Sequence, residues 1–266
     1  MTQDGSIALL IDADNSPAGK IEEVLDELAN SGVINIRRAY GNWKSPHLKG
    51  WEAVLHEYAI QPIQQFDYSK GKNASDMAMV IDAMDLLYSK QLEGVALVSS
   101  DADFTPLVQR LKADGLKVFG FGEEKTPMPF VNACSRFLYL ENLGCPEPAP
   151  EKAADTEAVK SPGVAPAAAA KPAPAKKGTN ELKGDARLVS LLRNSVAAAA
   201  DDEGWAHMGA VGQHISKQAS FDSRNYGYAK LRDLFSAIGL FELQNRERGL
   251  YVRDRRTVPP GNGASA

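Results

Sequence analysis

The sequence predicts a three-layer α/β/α domain with a mostly parallel sheet, followed by a smaller domain of helices that ends in a β-hairpin. Three observations favour this fold class. Short apolar runs alternate with amphipathic stretches over the first 145 residues, as expected of β-α-β units. A segment rich in Ala and Pro then interrupts the pattern, and helical spacing returns after it, before two short apolar runs. A chain of 266 residues is long enough for two such domains.

The strands and helices of the first domain can be assigned in chain order. The run at 7–11, Ile-Ala-Leu-Leu-Ile, is apolar without a break, which is typical of a parallel strand buried on both faces. We expect the other strands at 34–40, 62–66, 95–98, 116–121 and 137–140. Pro17 suits the first turn of a helix. Apolar residues at helical spacing predict helices at 17–28, 46–59, 74–89 and 104–113.

Residues 146–178 separate the two domains. This stretch contains eleven Ala and seven Pro but no aromatic residue, Leu or Ile. It has too little apolar surface to offset the entropy of ordering, and its Pro content favours extended segments. The sequence therefore predicts a flexible linker, made semi-rigid by its Pro residues, between a first domain at 5–143 and a second domain at 181–256.

The second domain is predicted to contain three helical segments and a hairpin. A helix is expected at 185–199, and the next segment carries Trp205, Met208, Val211 and Ile215. A third helix is expected within 226–238, and short strands at 241–243 and 250–252 flank a polar turn. Helices followed by a hairpin are the order of a winged helix-turn-helix.

The net charge of the chain is −4, which argues against a protein that coats nucleic acid. The charge is unevenly divided, however. Residues 1–145 carry 13 basic and 20 acidic side chains, a net charge of −7. Residues 179–266 carry 12 basic and 10 acidic side chains, a net charge of +2. The acidity therefore lies in the first domain, and the second is weakly basic.

Three features of the sequence bear on the compartment. No apolar stretch approaches the roughly 20 residues that a membrane span needs, so we expect no membrane contact. The first six residues lack the basic and apolar regions of a secretory signal. Cys134 and Cys145 fit neither a metal-binding spacing nor a disulfide framework. These features predict a cytoplasmic protein.

Acidic side chains directly follow two predicted strands. Asp12 and Asn15 follow the first strand, Asp101 and Asp103 follow the fourth, and Asp76 begins the long helix after the third. In an open parallel sheet the working crevice lies beyond the carboxyl ends of the strands, so we expect these groups to converge there. Converging carboxylates stay ionised together only around a cation, and a set of oxygen ligands selects Mg²⁺ or Mn²⁺. Such ions support the hydrolysis of phosphate esters.

The same residues permit a structural interpretation. Asp and Asn are preferred at helix N-termini, so Asp101 or Asp103 is also a candidate cap for the helix at 104–113. Asn15 is likewise a candidate cap for the helix that Pro17 begins.

Three further side chains are candidates for contact with a nucleic acid at this edge. Lys70 and Lys72 precede Asp76 and are candidates for holding a phosphate. Trp43 lies on the loop after the second strand and is a candidate for stacking on a base, with simple packing of the loop as the alternative.

The order and spacing of these motifs carry a family resemblance. Ile11-Asp12-x-x-Asn15, Lys72-x-x-x-Asp76 and the run Ser-Ser-Asp-Ala-Asp-Phe at 99–104 resemble the NYN family of PIN-like, metal-dependent ribonucleases, over about residues 5–143. The resemblance implies a PIN-like α/β fold, one or two Mg²⁺ or Mn²⁺ ions and cleavage of RNA. It implies that Asp12, Asp76, Asp101 and Asp103 are metal ligands and that these four residues and Asn15 are catalytic. Two departures are Ser100, where the family often has Gly, and the wide spacing before Asp76, which makes Lys70 an alternative to Lys72.

Residues 181–256 resemble the OST-HTH or LOTUS family. The features that carry this resemblance are residues 212–215, the stretch 225–234 and the final apolar hairpin. It implies a role in binding RNA or in docking a protein. Tyr226 offers a face for stacking, and Lys230 and Arg232 offer contacts to phosphate. RNA is therefore the expected partner, with a protein partner as the alternative.

These observations predict a ribonuclease that hydrolyses RNA phosphodiesters, with endonucleolytic cleavage expected and with the second domain raising the local concentration of RNA. Two alternatives stay open. One is a non-catalytic regulator that binds RNA or protein. The other is a haloacid-dehalogenase-type phosphatase, because Asp12-Ala13-Asp14 with Ser16 loosely imitates its nucleophile motif. The sequence makes no prediction of oligomeric state.

Overall fold

The structure is a computed structural model that describes residues 5–66, 74–89, 91–144, 176–218, 220–246 and 249–257. The predicted linker at 146–178 lies outside the described residues apart from its last three. Lys70, Lys72 and Cys145 also lie outside them.

The first domain is built on a six-stranded sheet. Its strands are β1 Ser6–Asp12, β2 Val33–Gly41, β3 Gln61–Gln64, β4 Gly94–Val98, β5 Lys117–Gly122 and β6 Arg136–Tyr139. The order across the sheet is β3-β2-β1-β4-β5-β6, and every neighbouring pair is parallel. The chain moves outward from β1 to β2 and β3, then crosses to the other side of β1 to form β4. The strand order therefore reverses between β1 and β4, at the centre of the sheet.

Helices cover both faces of this sheet. They are α1 Ile21–Ala29, α2 Trp51–Glu57, α3 Ala74–Ser89, α4 Thr105–Ala113 and α5 Met128–Ala133. Alternate residues of β1 enter two separate cores, because successive side chains on a strand point to opposite faces. Ile7, Leu9 and Ile11 pack with α1 and α2, whereas Ala8 and Leu10 pack with α3 and α4. This explains why β1 is apolar at every position from Ile7 to Ile11.

The second domain is smaller and mainly helical. Its elements are α6 Thr179–Gly184, α7 Ala186–Ala199, β7 Ala206–His207, α8 Met208–Gln218, α9 Leu231–Ile238, β8 Phe241–Arg246 and β9 Gly249–Asp254. Strands β8 and β9 form an antiparallel hairpin, and β7 pairs with β9. Leu234, Phe235 and Ile238 of α9 are fully buried in the core of this domain.

The predicted α/β class, with a mostly parallel sheet, is confirmed, and the predicted helix at 74–89 matches α3. Two short helices, α5 and α6, were not predicted because six residues are too few to show helical periodicity. The helix predicted at 46–59 begins as a 3₁₀ turn at Pro46–Gly50 before α2. Among the described residues, the structure contains no helix with the length and apolar character to cross a bilayer.

Candidate functional site

A crevice of about 600 Å³ lies at the carboxyl edge of the sheet, where the strand order reverses. In open α/β sheets this is the position at which ligands bind. The loops that follow β1, β4 and β5 form its walls. The residues that line it all belong to the first domain: Asp14, Asn15, Ser16, Pro17, Ser100, Asp101, Ala102, Glu123, Lys125 and Pro127.

Asp12, at the end of β1, is held in one orientation beside this crevice. Its side chain is 1% exposed. The Asn15 amide donates to its two carboxylate oxygens at 3.3 and 3.1 Å, and the Ser99 hydroxyl donates to Oδ2 at 2.9 Å. Burial raises the pKa of Asp12, and the hydrogen bonds from Asn15 and Ser99 oppose that rise. Asn15 therefore orients Asp12. The turn that follows Pro17 has no side-chain cap.

Ser99 connects Asp12 to the second acidic cluster. It is fully buried at the end of β4. While its hydroxyl donates to Asp12, the same oxygen accepts the backbone N–H of Asp101 at 3.1 Å. No sequence motif assigned this bridging role to Ser99. The available signal was a small hydroxyl residue, directly after a buried strand and two positions before an acid.

Asp101 has the geometry of a helix cap. Its Oδ1 accepts the backbone N–H of Asp103 at 2.8 Å, at the start of the 3₁₀ turn Ala102–Phe104 that leads into α4. The interpretation of Asp101 as a helix cap therefore accounts for one of its contacts. This contact also fixes the Asp101 carboxylate at the crevice wall, so capping and ligand binding are compatible.

Asp76 lies in the first turn of α3 and carries the clearest electrostatic signal. Burial raises the pKa of Asp76 to about 6, with further contributions from the negative charges of Asp12, Asp101, Asp14 and Asp103. Its buried Oδ1 has no hydrogen-bond partner within the described residues. The four other carboxylates thus lie close enough to make ionisation of Asp76 unfavourable, and one of its oxygens is available to a ligand.

The donor chemistry of this cluster fits a hard divalent cation, because every candidate ligand is an oxygen. The arrangement is open, however. Within the described parts of the chain, no group of three or more His, Cys, Asp or Glu side chains is close enough to hold one ion together. Asp76, with its raised pKa and orphaned oxygen, is the side chain that a cation would stabilise most.

A polar cluster behind the site fixes the helix that carries Asp76. Tyr40 of β2 lies beside Asp12 in the sheet register. Its hydroxyl donates to Asp82 of α3, and Arg38 forms an ion pair with the same carboxylate. Burial raises the pKa of Tyr40, and its hydrogen bond to Asp82 adds to the rise. Asp82 therefore joins α3 to β2 in the described structure.

The other predicted contacts to RNA are divided between the two domains. The Trp43 indole donates to the backbone oxygen of Ile63 at 3.1 Å and packs against the core, as in the packing alternative. Tyr226 stacks on Phe221, and the Lys177 ammonium lies 5.0 Å from its ring centre. Arg232 is exposed and pairs with Asp233, and Lys230 precedes the first turn of α9.

Lys125 is a basic side chain at the crevice that no sequence motif indicated. It lies on the loop after β5, is largely exposed, and pairs with Glu123 at 2.5 Å. A signal was available, because this loop also lies at the carboxyl edge of the sheet.

Replacing Ser99 by Ala is expected to lower the free energy of unfolding by about 1–3 kcal/mol, because the buried Asp12 carboxylate and the half-buried Asp101 N–H each lose a partner. Chemical denaturation measures the change. Ser31→Ala, at an exposed position, is the matched control and is expected to have little effect. Equal stability of the two variants would contradict a bridging role for Ser99.

An acidic crevice at the reversal point of a parallel sheet, joined to a helix-and-hairpin domain, agrees with a PIN-like nuclease domain that carries an appended helical module, the class to which the family match below assigns the first domain. The chain belongs to the NYN domain family, which matches residues 6–141. The OST-HTH/LOTUS domain family matches residues 183–253. Both resemblances stated from the sequence are confirmed, in the predicted order.

Individual relatives give less information. An uncharacterized protein of Methanocaldococcus jannaschii is 34% identical over 125 residues, which are 44% of this chain and 48% of that protein. The chain thus spans about half the length of this curated relative. A crystal structure of a Vibrio parahaemolyticus protein of unknown function covers 52% of this chain and 94% of its own, at 19% identity and a TM-score of 0.43. A solution structure of an uncharacterized Nitrosomonas europaea protein covers 37% and 92%, at 31% identity and a TM-score of 0.25.

Proposed function

We propose that this protein is a divalent-metal-dependent ribonuclease that hydrolyses RNA phosphodiesters. The single observation that carries the proposal is Asp76, a half-buried carboxyl with an orphaned oxygen and a pKa near 6 caused by burial and by four neighbouring acids. A cluster of this kind is costly to a fold unless it binds a cation. Strongly perturbed carboxyls at a crevice are typical of functional sites.

In this proposal Asp12, Asp76, Asp101 and Asp103 would together hold one or two Mg²⁺ or Mn²⁺ ions, with no more than two of these carboxylates on any one ion in the described arrangement. A bound divalent ion supplies positive charge that activates water and stabilises the phosphoryl transition state. Asn15 and Ser99 keep the Asp12 carboxylate oriented, and the cap contact does the same for Asp101. Lys125, on the crevice wall, is placed to attract the phosphate backbone.

The second domain is proposed to bring RNA to this crevice. OST-HTH/LOTUS domains bind RNA, and Lys230 and Arg232 are the residues that we propose for phosphate contacts. Binding that depends on such contacts weakens as salt rises, because counterions compete for the phosphates. We propose that this cleavage is endonucleolytic, as expected from the sequence.

A cleavage assay tests the proposal directly. Single-stranded, structured and transfer RNAs are incubated with the purified protein in Mg²⁺, in Mn²⁺ or in chelator. We expect cleavage that needs the metal and is lost in Asp101→Asn. Cleavage by wild type and variant alike, or cleavage that persists in chelator, would refute the proposed site.

A non-catalytic RNA-binding regulator is the second candidate. The observation that favours it is the wide spacing of the carboxylates. Within the described residues, no three of them are close enough together to bind one metal ion. Titration calorimetry with Mn²⁺ separates the two functions. Measurable binding that is lost in Asp76→Asn supports the nuclease, whereas no heat of binding together with retained RNA affinity supports the regulator.

A further inference from the structure

The second domain contacts the first along one free edge of the sheet. Strand β6 is the last strand of the sheet, so its outward N–H and C=O groups have no neighbouring strand. The side chain of Asn225 fills this place. Its amide donates to the Phe137 carbonyl at 2.9 Å, and its oxygen accepts the Tyr139 N–H at 3.3 Å. One side-chain amide thus forms the two hydrogen bonds that a backbone peptide of another strand would form.

Four charged side chains form a closed cluster beside this contact. Glu27 of α1 and Arg136 of β6 come from the first domain. Arg224 comes from the 3₁₀ turn Ser223–Tyr226 of the second domain, which also carries Asn225, and Asp222 caps that turn. Arg136 binds Glu27 at 3.0 Å and Asp222 at 2.7 Å. Arg224 contacts Glu27 through two hydrogen bonds at 2.5 and 2.9 Å, and Asp222 at 3.0 Å. Each arginine therefore bridges the same two carboxylates.

The cluster is electrically neutral and nearly closed to solvent on its acidic side. The side chains of Glu27 and Asp222 are 11% and 8% exposed. Burial alone would raise the pKa of Asp222, but hydrogen bonds and charge from Arg224, and the charge of Arg136, outweigh burial and lower that pKa. Carboxylates this buried need cationic partners, and for each of them one partner lies in the other domain.

The segment that joins the two domains begins and ends beside the contact between them. The backbone oxygen of Leu143, at the end of the first domain, accepts from Lys20, which directly precedes α1. Glu27 lies seven residues further on, about 10 Å along the helix. After residues 145–175, Lys177 donates its N–H to the Tyr226 carbonyl at 3.2 Å, next to Asn225. Both ends of the intervening segment therefore lie near the Asn225 contact and the charge cluster, which favours a contact within one chain.

Among the residues that the structure describes, the docked domain contributes none to the lining of the crevice. Arg136 is the first residue of β6, and Glu27 is near the end of α1, so the charge cluster lies toward the amino ends of the strands. The acids lie at the carboxyl ends of β1 and β4, with β5 between them and β6.

From these contacts we propose that the OST-HTH domain docks within its own chain on the β6 edge of the NYN domain, through Asp222, Arg224 and Asn225. The docked chain is then one body with an open acidic edge, rather than two tethered modules. This inference does not rest on the proposed ribonuclease activity.

The distance between spin labels in the two domains tests this docking. Each label is attached to an introduced cysteine, one in place of Glu52 on α2 and one in place of Glu203 in the second domain, both at exposed positions. Cys145 is replaced by Ser. Burial raises the pKa of the Cys134 thiol to about 12, so this thiol stays unlabelled. We expect a single narrow distance for the full-length chain, in the absence of metal and RNA.

Two variants from opposite sides of the interface should lose this narrow distance. Arg224→Glu places a negative charge beside Glu27 and Asp222, and Glu27→Lys breaks the same contacts without a change in the second domain. Arg187→Glu, an equal change of charge at an exposed site of α7, is the control and should keep the narrow distance. If Arg224→Glu unfolds its domain, as seen by circular dichroism, Glu27→Lys alone decides the result.

Several outcomes would overturn the inference. A broad distribution in the parent chain excludes a docked body. A narrow distribution that survives Glu27→Lys shows that this cluster does not hold the domains together. A defined distance in a mixture of singly labelled chains shows docking between copies rather than within one chain.

Discussion

Replacing Asp12 by Asn is expected to lower RNA cleavage by more than about 100-fold at saturating Mn²⁺, since this removes a charged ligand at the centre of the site. The change preserves the shape of the side chain and keeps one oxygen, so the fold should persist. It removes the negative charge that Asn15 and Ser99 hold in one orientation beside the crevice. The initial rate of cleavage of a labelled single-stranded RNA measures the effect.

The control for this experiment is Asp26→Asn, the same chemical change at an exposed position of α1. This variant should cleave RNA at the parental rate. A fall of similar size in both variants would indicate general damage rather than loss of a ligand. If Asp12→Asn stays active, Asp12 is not a metal ligand. The phosphatase alternative also needs Asp12, as a nucleophile, but predicts trapping of a phosphoaspartate by beryllofluoride.

Replacing Asp76 by Asn is expected to abolish activity and yet stabilise the metal-free protein. The pKa of Asp76 is raised to about 6 from an ordinary value of 3.8, because the folded state disfavours its charge. The stability that this group contributes is present below about pH 4 and is lost as the pH rises through about 6. Above that pH the neutral Asn avoids the free-energy cost of a negative charge at this position. After a discount for solvent screening at a half-exposed group, we expect a gain of about 1 kcal/mol at pH 7.5.

Thermal denaturation at pH 4 and pH 7.5, with and without Mn²⁺, tests this prediction. The variant should be more stable than the parent only at the higher pH and only without metal. Mn²⁺ at about 100 times its dissociation constant should stabilise the parent by about 2.7 kcal/mol and reverse the order. Asp85→Asn, on the same helix, should show neither effect. A parent that is more stable than Asp76→Asn in chelator would contradict the electrostatic explanation.

The sequence was sufficient to predict the fold class and the edge of the sheet at which the residues after β1 and β4 lie. Apolar runs such as 7–11 predict buried strands because no polar residue interrupts them. A parallel order then brings the residues that follow β1 and β4 to one edge, whatever the details of packing. The assignment of the five catalytic residues stays a prediction until cleavage is measured.

Contacts between residues far apart in the chain could not be predicted. Ser99 is two positions from a predicted ligand, but its hydrogen bond is to Asp12, 87 residues away. Arg224 and Glu27 are 197 residues apart, and neither belongs to a periodic pattern. The Ala- and Pro-rich stretch predicted a flexible tether from composition alone. Composition carries no information on whether the domains at its two ends bind each other.

The contact of Asn225 with β6 also bears on how the protein avoids aggregation. An exposed strand edge is a template on which another chain can add a strand, and proteins usually block such edges with charge, proline or a covering segment. Here the cover is supplied by a separate domain, through the hydrogen bonds of Asn225 to the backbone of Phe137 and Tyr139. Proteolytic loss of the second domain would therefore expose the unpaired backbone groups of β6 to strands of other chains. A shortened chain should self-associate at concentrations at which the full chain stays dispersed.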